Sequence, residues 1–420
     1  MGKRKLTQDA AHDRRVLRMG ATLEVTIERI LPGGLGLAHA EGQTLLVALA
    51  APGDHLRVRV ERVRGGLAFA SLIEIIHSSP VRVEPPCPYF GRCGGCDFQQ
   101  LSYEAQLNAI VEIIRDCLRR IARLEAPADI PITPSPLDWR YRSRAEWQHD
   151  PLNHRLGYFE RGTHRVCDVA ECPVLVPSLQ ETLHTLRERM RNGRLPLDVA
   201  EFQAVAGDQG RAALAPPLDT GETPETTRTI GAYRYRFSAD GFFQINQDLL
   251  APLIKEALNQ AHGQTAIDLY CGAGLFTLPL ATRFTRVIGV EANPSAIAYA
   301  RRNLDDAGLF NAATECARVS EWLKENAERH APVDYLLLDP PRTGAEEGAI
   351  PGILSHLRPR RIAYVSCDPA TLARDLKELI AGGYRLNRVA AFDMFPQTHH
   401  VETVVHLGVH SLENSISRCE

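Results

Sequence analysis

The sequence contains no apolar run of the roughly 18 residues that a membrane-spanning helix needs, so an α-helical membrane protein is excluded. It carries little net charge: 48 Lys and Arg against 51 Asp and Glu leave −3 over 420 residues. Bulk electrostatics therefore single out no nucleic-acid or membrane partner. The first eighty residues hold 11 Lys and Arg against 8 Asp and Glu, a balance of +3 and only a mild bias. The basic start, MGKRKLTQDAAHDRRVLRMG, has no apolar stretch behind its charges and does not read as a secretory signal. A solvated tail over residues 1–20 is the simpler reading, and an arm that touches phosphates the sharper one. No internal repeat or low-complexity segment is present. What remains is an ordinary globular composition, 44% hydrophobic and 24% charged, in a chain long enough for two or three domains. Ten cysteines without an export signal are not a disulfide framework, so their spacing has to be read individually.

Residues 22–76 read as a small β-module. Leu23, Val25 and Ile27 alternate with Glu24, Thr26 and Glu28, and Leu56, Val58 and Val60 alternate with Arg57, Arg59 and Glu61, the period of half-buried strands. Pro32-Gly33-Gly34 and Pro52-Gly53-Asp54 supply turns between them. Short strands at this spacing suggest an OB-like barrel, a form that often binds nucleic acid. Residues 80–100 are rich in Pro, Cys and Gly and read as irregular. A helix is predicted from about Tyr103 to Leu124, with Leu107, Ile110, Val111, Ile114 and Leu118 on one face. Between Pro127 and Asp240 mostly strands are predicted, with one helix near Leu179–Arg191. In the last 180 residues the runs TAIDLY, RVIGVE, DYLLLD, RIAYVS and TVVHLG are separated mostly by helical patterns, which implies a doubly wound α/β sheet.

The strand TAIDLY ends in Cys271-Gly272-Ala273-Gly274, where glycines let the backbone approach a ligand. The third glycine of a dinucleotide fingerprint is replaced by Thr277, which argues against NAD. Glu291 ends the next strand, nineteen residues after Gly272, where a carboxylate can accept from both ribose hydroxyls. A nucleoside without pyrophosphate fits, and S-adenosylmethionine is the expected cofactor; another nucleotide is the competing reading. Asp339-Pro340-Pro341-Arg342 closes DYLLLD. Enzymes that methylate base amino groups have an aromatic residue where Arg342 stands, so exocyclic-nitrogen methylation is disfavoured.

Ser366-Cys367-Asp368-Pro369 follows the strand RIAYV and sets Cys367 at a strand-to-helix turn, where a helix N-terminus can lower a thiol pKa. Thirty-five residues later comes Glu402, at the start of the last strand. A thiolate that adds to C6 of uracil makes C5 nucleophilic, and a base must then remove the C5 proton. One cysteine and one carboxylate meet that requirement, although alone each is more often a buried small residue or a paired carboxylate. Cys87, Cys93 and Cys96 offer three thiols in one turn-rich loop and, with a fourth ligand, suit zinc or an iron–sulfur cluster. Arg140, Arg142 and Arg144 alternate along one segment flanked by Trp139 and Trp147, either an RNA-binding strand face or a paired, solvated one.

Together the segments CPYFGRCGGCDFQQL, FFQINQ, DLYCGAG, GVEAN, DPPRTG, SCDPATLARD and MFPQTHHVE resemble the RNA 5-methyluridine methyltransferase family, over about Thr22 to Leu407. The resemblance implies Cys367 as nucleophile, Glu402 as general base, and Gln244, Tyr270, Glu291 and Asp339 as cofactor contacts. It selects a [4Fe–4S] cluster over zinc and supplies Cys172 as the fourth ligand beside Cys87, Cys93 and Cys96, with Cys167 as the competitor. Leu275 departs from relatives that carry a polar Asn, so any side-chain bond to the cofactor there is lost. The β-module resembles a TRAM domain, which favours 23S rRNA over tRNA as substrate.

The expected architecture is α/β: a Rossmann-like S-adenosylmethionine-dependent methyltransferase domain (241–420), an N-terminal TRAM or OB-like β-barrel (21–78), and an α+β central domain (79–240) carrying the cluster. The expected activity is uracil-C5 methylation of RNA by a cytoplasmic monomer with no membrane partner. The alternatives are the same chemistry on tRNA, a cytosine-C5 enzyme, or a non-catalytic RNA-binding or chaperone module, against which the pair Cys367 and Glu402 argues.

Overall fold

The computed structural model describes residues 17–208, 210–219 and 224–409. Nearly all of the basic start, and the last cysteine of the chain, lie outside the described residues. The described residues form two compact units, one up to residue 84 with 100–102, the other of 85–99 with the residues from 103 onward.

In the first unit, β1 (Thr22–Thr26), β2 (Arg29–Ile30), β3 (Gly36–Ala40), β4 (Gln43–Val47), β5 (His55–Arg64) and β6 (Leu67–His77) form one sheet. Its order is β1-β5-β6-β4-β3-β2, with β4 and β6 parallel and the other neighbours antiparallel. The alternation in the sequence is the cause: Leu56, Val58 and Val60 are buried with Val25, Ile27, Leu45 and Val47, while Arg59 between them is exposed. Asp54, fully buried, closes the turn before β5. It accepts from Ala51 N at 2.7 Å and Ser79 N at 3.0 Å, and pairs with Arg82 at 2.7 Å. A buried carboxylate is tolerable only when so fully partnered.

The second unit contains β7 (Ile132–Thr133), β8 (Arg144–Asp150), β9 (Arg155–Phe159), β10 (Val166–Asp168), β11 (Glu201–Ala206), β12 (Ala212–Ala215), and the hairpin β13 (Glu225–Ile230) and β14 (Tyr233–Ser238). Five of these make a sheet ordered β10-β9-β8-β11-β12. Against it lies the helix Pro177–Arg191, whose Leu179, Leu183, Leu186 and Met190 recur every three to four residues and share a core with Trp147, Leu156 and Phe202.

The remaining strands are β15 (Gly263–Leu269), β16 (Phe284–Glu291), β17 (Ala312–Cys316), β18 (Tyr335–Leu338), β19 (Arg361–Ser366), β20 (Tyr384–Phe392) and β21 (Glu402–Val409). They build the expected α/β sheet, in the order β17-β16-β15-β18-β19-β21-β20-β7. The central strands are apolar on both faces because helices cover both. Two strands escaped the sequence reading: β17 (AATEC) is too polar, and β20 (YRLNRVAAF) is broken by charges. The last strand among the described residues, β21, runs antiparallel between β19 and β20.

The segment read as a separate central domain and the methyltransferase sheet lie in the same compact unit. Tyr141, Val174 and Val205 share a core with Phe243, Leu275 and Phe395, and β7 adds to the sheet edge beside β20. The predicted helix near 103 runs from Tyr103 to Cys117 with a π-turn after it over Leu118–Ala122. Its buried face is rotated from the apolar stripe to include Gln106, because that amide is bonded to Gln397.

Candidate active site and cysteine cavity

Strand register brings the two expected catalytic residues together. β19 and β21 pair antiparallel, with Ser366 opposite Thr403. One residue beyond Ser366, the chain therefore sets Cys367 across from Glu402. On its other side Glu402 pairs with Phe392 of β20, so the carboxylate is held between two strands. After Cys367, Asp368 caps the helix Pro369–Ala381, its Oδ1 accepting from Ala370 N at 2.9 Å and Thr371 N at 2.8 Å.

The electrostatics of this pair are dominated by burial. Glu402 is 1% exposed and its Oε1 has no hydrogen-bond partner. Burial pushes its pKa well above the usual carboxylate range, Asp339 adds to this, and Arg342 opposes it. The Cys367 thiol is pushed up to about 12 by burial, then by Glu402 and Asp339, against Arg342. Asp368, the cap of the helix that follows, also raises it.

Of the expected cofactor residues, Tyr270, Glu291 and Asp339 lie at the carboxyl ends of β15, β16 and β18, and Gln244 lies outside that sheet, after β14. Tyr270 leaves β15 in the left-handed region, φ +65°, and its hydroxyl accepts from Glu346 N at 3.1 Å. Glu291, at the end of β16, accepts from Gly272 N at 3.2 Å and Asn293 N at 2.7 Å, which orients its carboxylate over the glycine loop. Asp339 follows β18, and burial, Asp268 and Glu291 raise its pKa to about 8. Asp268, inside β15, is raised to about 7 by burial even though Thr277 Oγ1 donates to it at 2.6 Å. Gln244 is buried between Phe243 and Ile245, which pack in the same core as Ala273, Leu275 and Phe395. The Leu275 carbonyl accepts from Tyr235 Oη at 3.1 Å. Carboxylates closely grouped in low dielectric favour a cationic ligand.

Cys87, Cys93, Cys96 and Cys172 all line one pocket. Cys167 does not; it is buried in β10 and its Sγ accepts from Arg92 Nε at 3.3 Å. Burial pushes the Cys93 thiol up to about 11 and the Cys96 thiol up to about 12. Among the described residues, no group of three or more His, Cys, Asp or Glu side chains is arranged to hold a metal ion. Arg142 also lines the cavity, and its buried Nε has no hydrogen-bond partner. The three arginines do not share one strand face. Arg140 is in the left-handed region, Arg142 turns to the cysteines, Arg144 bonds Gly241 O and Gln203 Oε1, and Trp147 is fully buried.

The sequence reading missed Asp268, the charge role of Arg142 and Arg342, and the pairing of Asp97 with His399 at 2.5 Å. Only the last carried a signal, since Asp97 directly follows Cys96 and His399 precedes Glu402 by three positions.

A mixed sheet with a glycine loop after its first strand, an acidic residue ending the second, and a cysteine at a later strand end defines an S-adenosylmethionine-dependent methyltransferase fold. Family models agree: residues 229–410 match that of tRNA (uracil-5-)-methyltransferase, and residues 17–73 match the TRAM domain. The chain is 33% identical to the 23S rRNA (uracil(1939)-C(5))-methyltransferase of Pectobacterium atrosepticum, over 91% of this chain and 92% of that one. It is 32% identical to an uncharacterized RNA methyltransferase of Thermosynechococcus vestitus, over 93% and 98%. Among solved structures it is similar to the Pyrococcus abyssi tRNA (uracil-54, C5)-methyltransferase in complex with S-adenosyl-L-homocysteine. The TM-score is 0.71 at 26% identity, covering 92% of this chain and 100% of that one. The chain thus belongs to the RNA uracil-5-methyltransferase family, with a TRAM domain, and is an S-adenosylmethionine-dependent enzyme acting on RNA. Among the described residues no helix is long and apolar enough to cross a membrane.

Proposed function

We propose that the enzyme methylates C5 of a uridine in 23S rRNA through a covalent bond between Cys367 and C6 of the uracil. The observation that carries the reading is the register that sets Cys367 opposite Glu402, beside Asp339. S-adenosylmethionine, when bound, supplies the methyl group. The Cys367 thiolate adds to C6, which makes C5 the nucleophile that takes the methyl. Glu402 then accepts the C5 proton, the C5–C6 double bond reforms, and the sulfur leaves as thiolate. Glu402 must be ionised for that step, and a cation bound near Asp339 and Glu291 favours its charged form. Gln244, Tyr270, Glu291 and Asp339 are the residues we assign to cofactor binding. The uridine is drawn out of its RNA to reach a half-buried thiol.

Cys87, Cys93, Cys96 and Cys172 are assigned a [4Fe–4S] cluster. Four soft donors fit it, and a cluster of four irons spaces its ligands more widely than one ion does, in keeping with four thiols that line one pocket without closing on a single-ion site. The guanidinium of Arg142 in the cavity lining suits the negative charge that such a site carries. The methylation needs no electron transfer, so the role assigned to the cluster is structural.

The choice of 23S rRNA rests on the names of relatives at 31% and 33% identity, from Alkalilimnicola ehrlichii and Pectobacterium atrosepticum. The solved relative named for tRNA favours the second reading, a tRNA uridine. Nucleoside mass spectrometry of separated rRNA and tRNA from cells lacking the protein decides between them. Loss of one 5-methyluridine from 23S rRNA, restored by wild type but not by Cys367→Ala, supports the reading. Loss from tRNA overturns the substrate and keeps the chemistry; no loss overturns both.

A further inference from the structure

The segment between β20 and β21, residues 393–401, leads into Glu402, and besides bonds from Tyr103 and Tyr141 and to Asp138 it is bonded to the cysteine loop. Gln397 in its middle is a buried, non-glycine residue in the left-handed region, φ +71°. Such a conformation persists only where the surroundings over-determine it. Here they do. The backbone N–H groups of Asp97 and Phe98 donate to Gln397 O at 3.1 and 3.0 Å. Gln106 exchanges two bonds with Gln397, its Nε2 donating to Oε1 and its Oε1 accepting from the backbone N, both at 3.0 Å. Two residues on, His399 N donates to Asp97 Oδ1 at 2.9 Å, and His399 Nδ1 lies 2.5 Å from Asp97 Oδ2. The Phe98 ring meets the His399 ring edge-on at 6.4 Å. Asp97 and Phe98 come directly after Cys96, a lining residue of the cysteine cavity.

We infer that Asp97 and His399 are positioning residues that tie the loop of Cys96 to the base Glu402, so that the cysteine site governs the proton-removal step rather than the addition of Cys367. Cys367 is delivered by β19 and its capped helix, whereas Glu402 follows three residues after the clamped His399. The inference rests on the assignment of Glu402 as the base. Loosening the clamp leaves C6 addition and methyl transfer in place and slows the step in which the C5 proton passes to Glu402 and the C6–sulfur bond breaks. A misplacement of about 1 Å can cost on the order of 100-fold in such a step.

The test uses full-length protein and its RNA substrate carrying [5-³H]uridine, comparing Asp97→Ala, His399→Ala, Asp97→Asn and Glu402→Gln. Tritium release reports proton removal, and methylated protein–RNA adduct on denaturing gels reports the steps before it. Expected are a roughly 100-fold slower release with adduct accumulating in Asp97→Ala and His399→Ala. Amide exchange across 394–402 should be faster in both. Asp97→Asn, which keeps an acceptor for His399 N, should behave close to wild type. If adduct formation and tritium release fall together, or if both alanine variants release tritium at the wild-type rate, the coupling is wrong. Wild-type release by Glu402→Gln instead shows that the base assignment itself has failed; an adduct in Glu402→Gln but not in the alanine variants sinks only the clamp.

Discussion

With its thiol pushed up to about 12, Cys367 is expected to be nearly inert in the free protein, and the size of the effect can be worked out. At pH 7.5 a thiol of that pKa is ionised to roughly 3 parts in 100,000, whereas an ordinary thiol near 8.5 is about one-tenth ionised, a ratio of ~3,000. The rarer thiolate is also the stronger nucleophile, and with a Brønsted slope near 0.45 this returns a factor of ~40. Cys367 should therefore react with iodoacetamide on the order of 100-fold more slowly than an exposed cysteine. Cys316 is exposed and serves as the reference within the same molecule, so peptide mapping after timed alkylation gives the ratio without calibration. Glu402→Gln and Asp339→Asn each remove a carboxylate that raises the thiol pKa and should narrow the gap. Equal labelling of Cys367 and Cys316 at pH 7.5, without RNA or cofactor, would refute the argument that burial and carboxylates silence the nucleophile until substrate arrives.

Three further outcomes are expected. Burial raises the Asp393 carboxyl from 3.8 to about 7, against a bond from Tyr103. Between those values the folded state holds a proton that the unfolded chain has released, so stability falls as pH rises through that window, by up to ~4 kcal/mol. Asp393→Asn should raise the melting midpoint more at pH 8 than at pH 4; an equal shift at both refutes it. Asp54→Ala strands Arg82 and two N–H groups, should cost ~3–5 kcal/mol, and is checked by amide exchange across β4 and β5. Cys172→Ser should lower the iron content of purified protein while Cys167→Ser leaves it unchanged, because only Cys172 lines the cavity; the reverse result would exchange the fourth ligand.

Much of the fold was legible along the chain because the signals were local. Alternation at Leu56, Val58 and Val60 dictates a strand with one buried face, and the continuous apolar runs of β15, β18 and β19 dictate strands buried on both. The glycine loop with Glu291, and the strand-end Cys367, were equally readable, since strand ends can be located from the runs that precede them. β17 and β20 were not, because edge and amphipathic strands carry too little apolar signal.

What the sequence by itself determined, then, is which residues have the chemistry: a cysteine and a carboxylate near two strand ends, a cofactor loop, and three clustered thiols. Only the tertiary structure decided which of them meet. The antiparallel insertion of β21 between β19 and β20 sets Glu402 opposite Cys367, and Cys172 rather than Cys167 faces the cavity. Arg142 turns inward, and Asp97 reaches His399 across 302 positions of chain. Pairing between distant segments and the burial that shifts a pKa depend on what packs against a residue from elsewhere, and no local pattern of side chains encodes that.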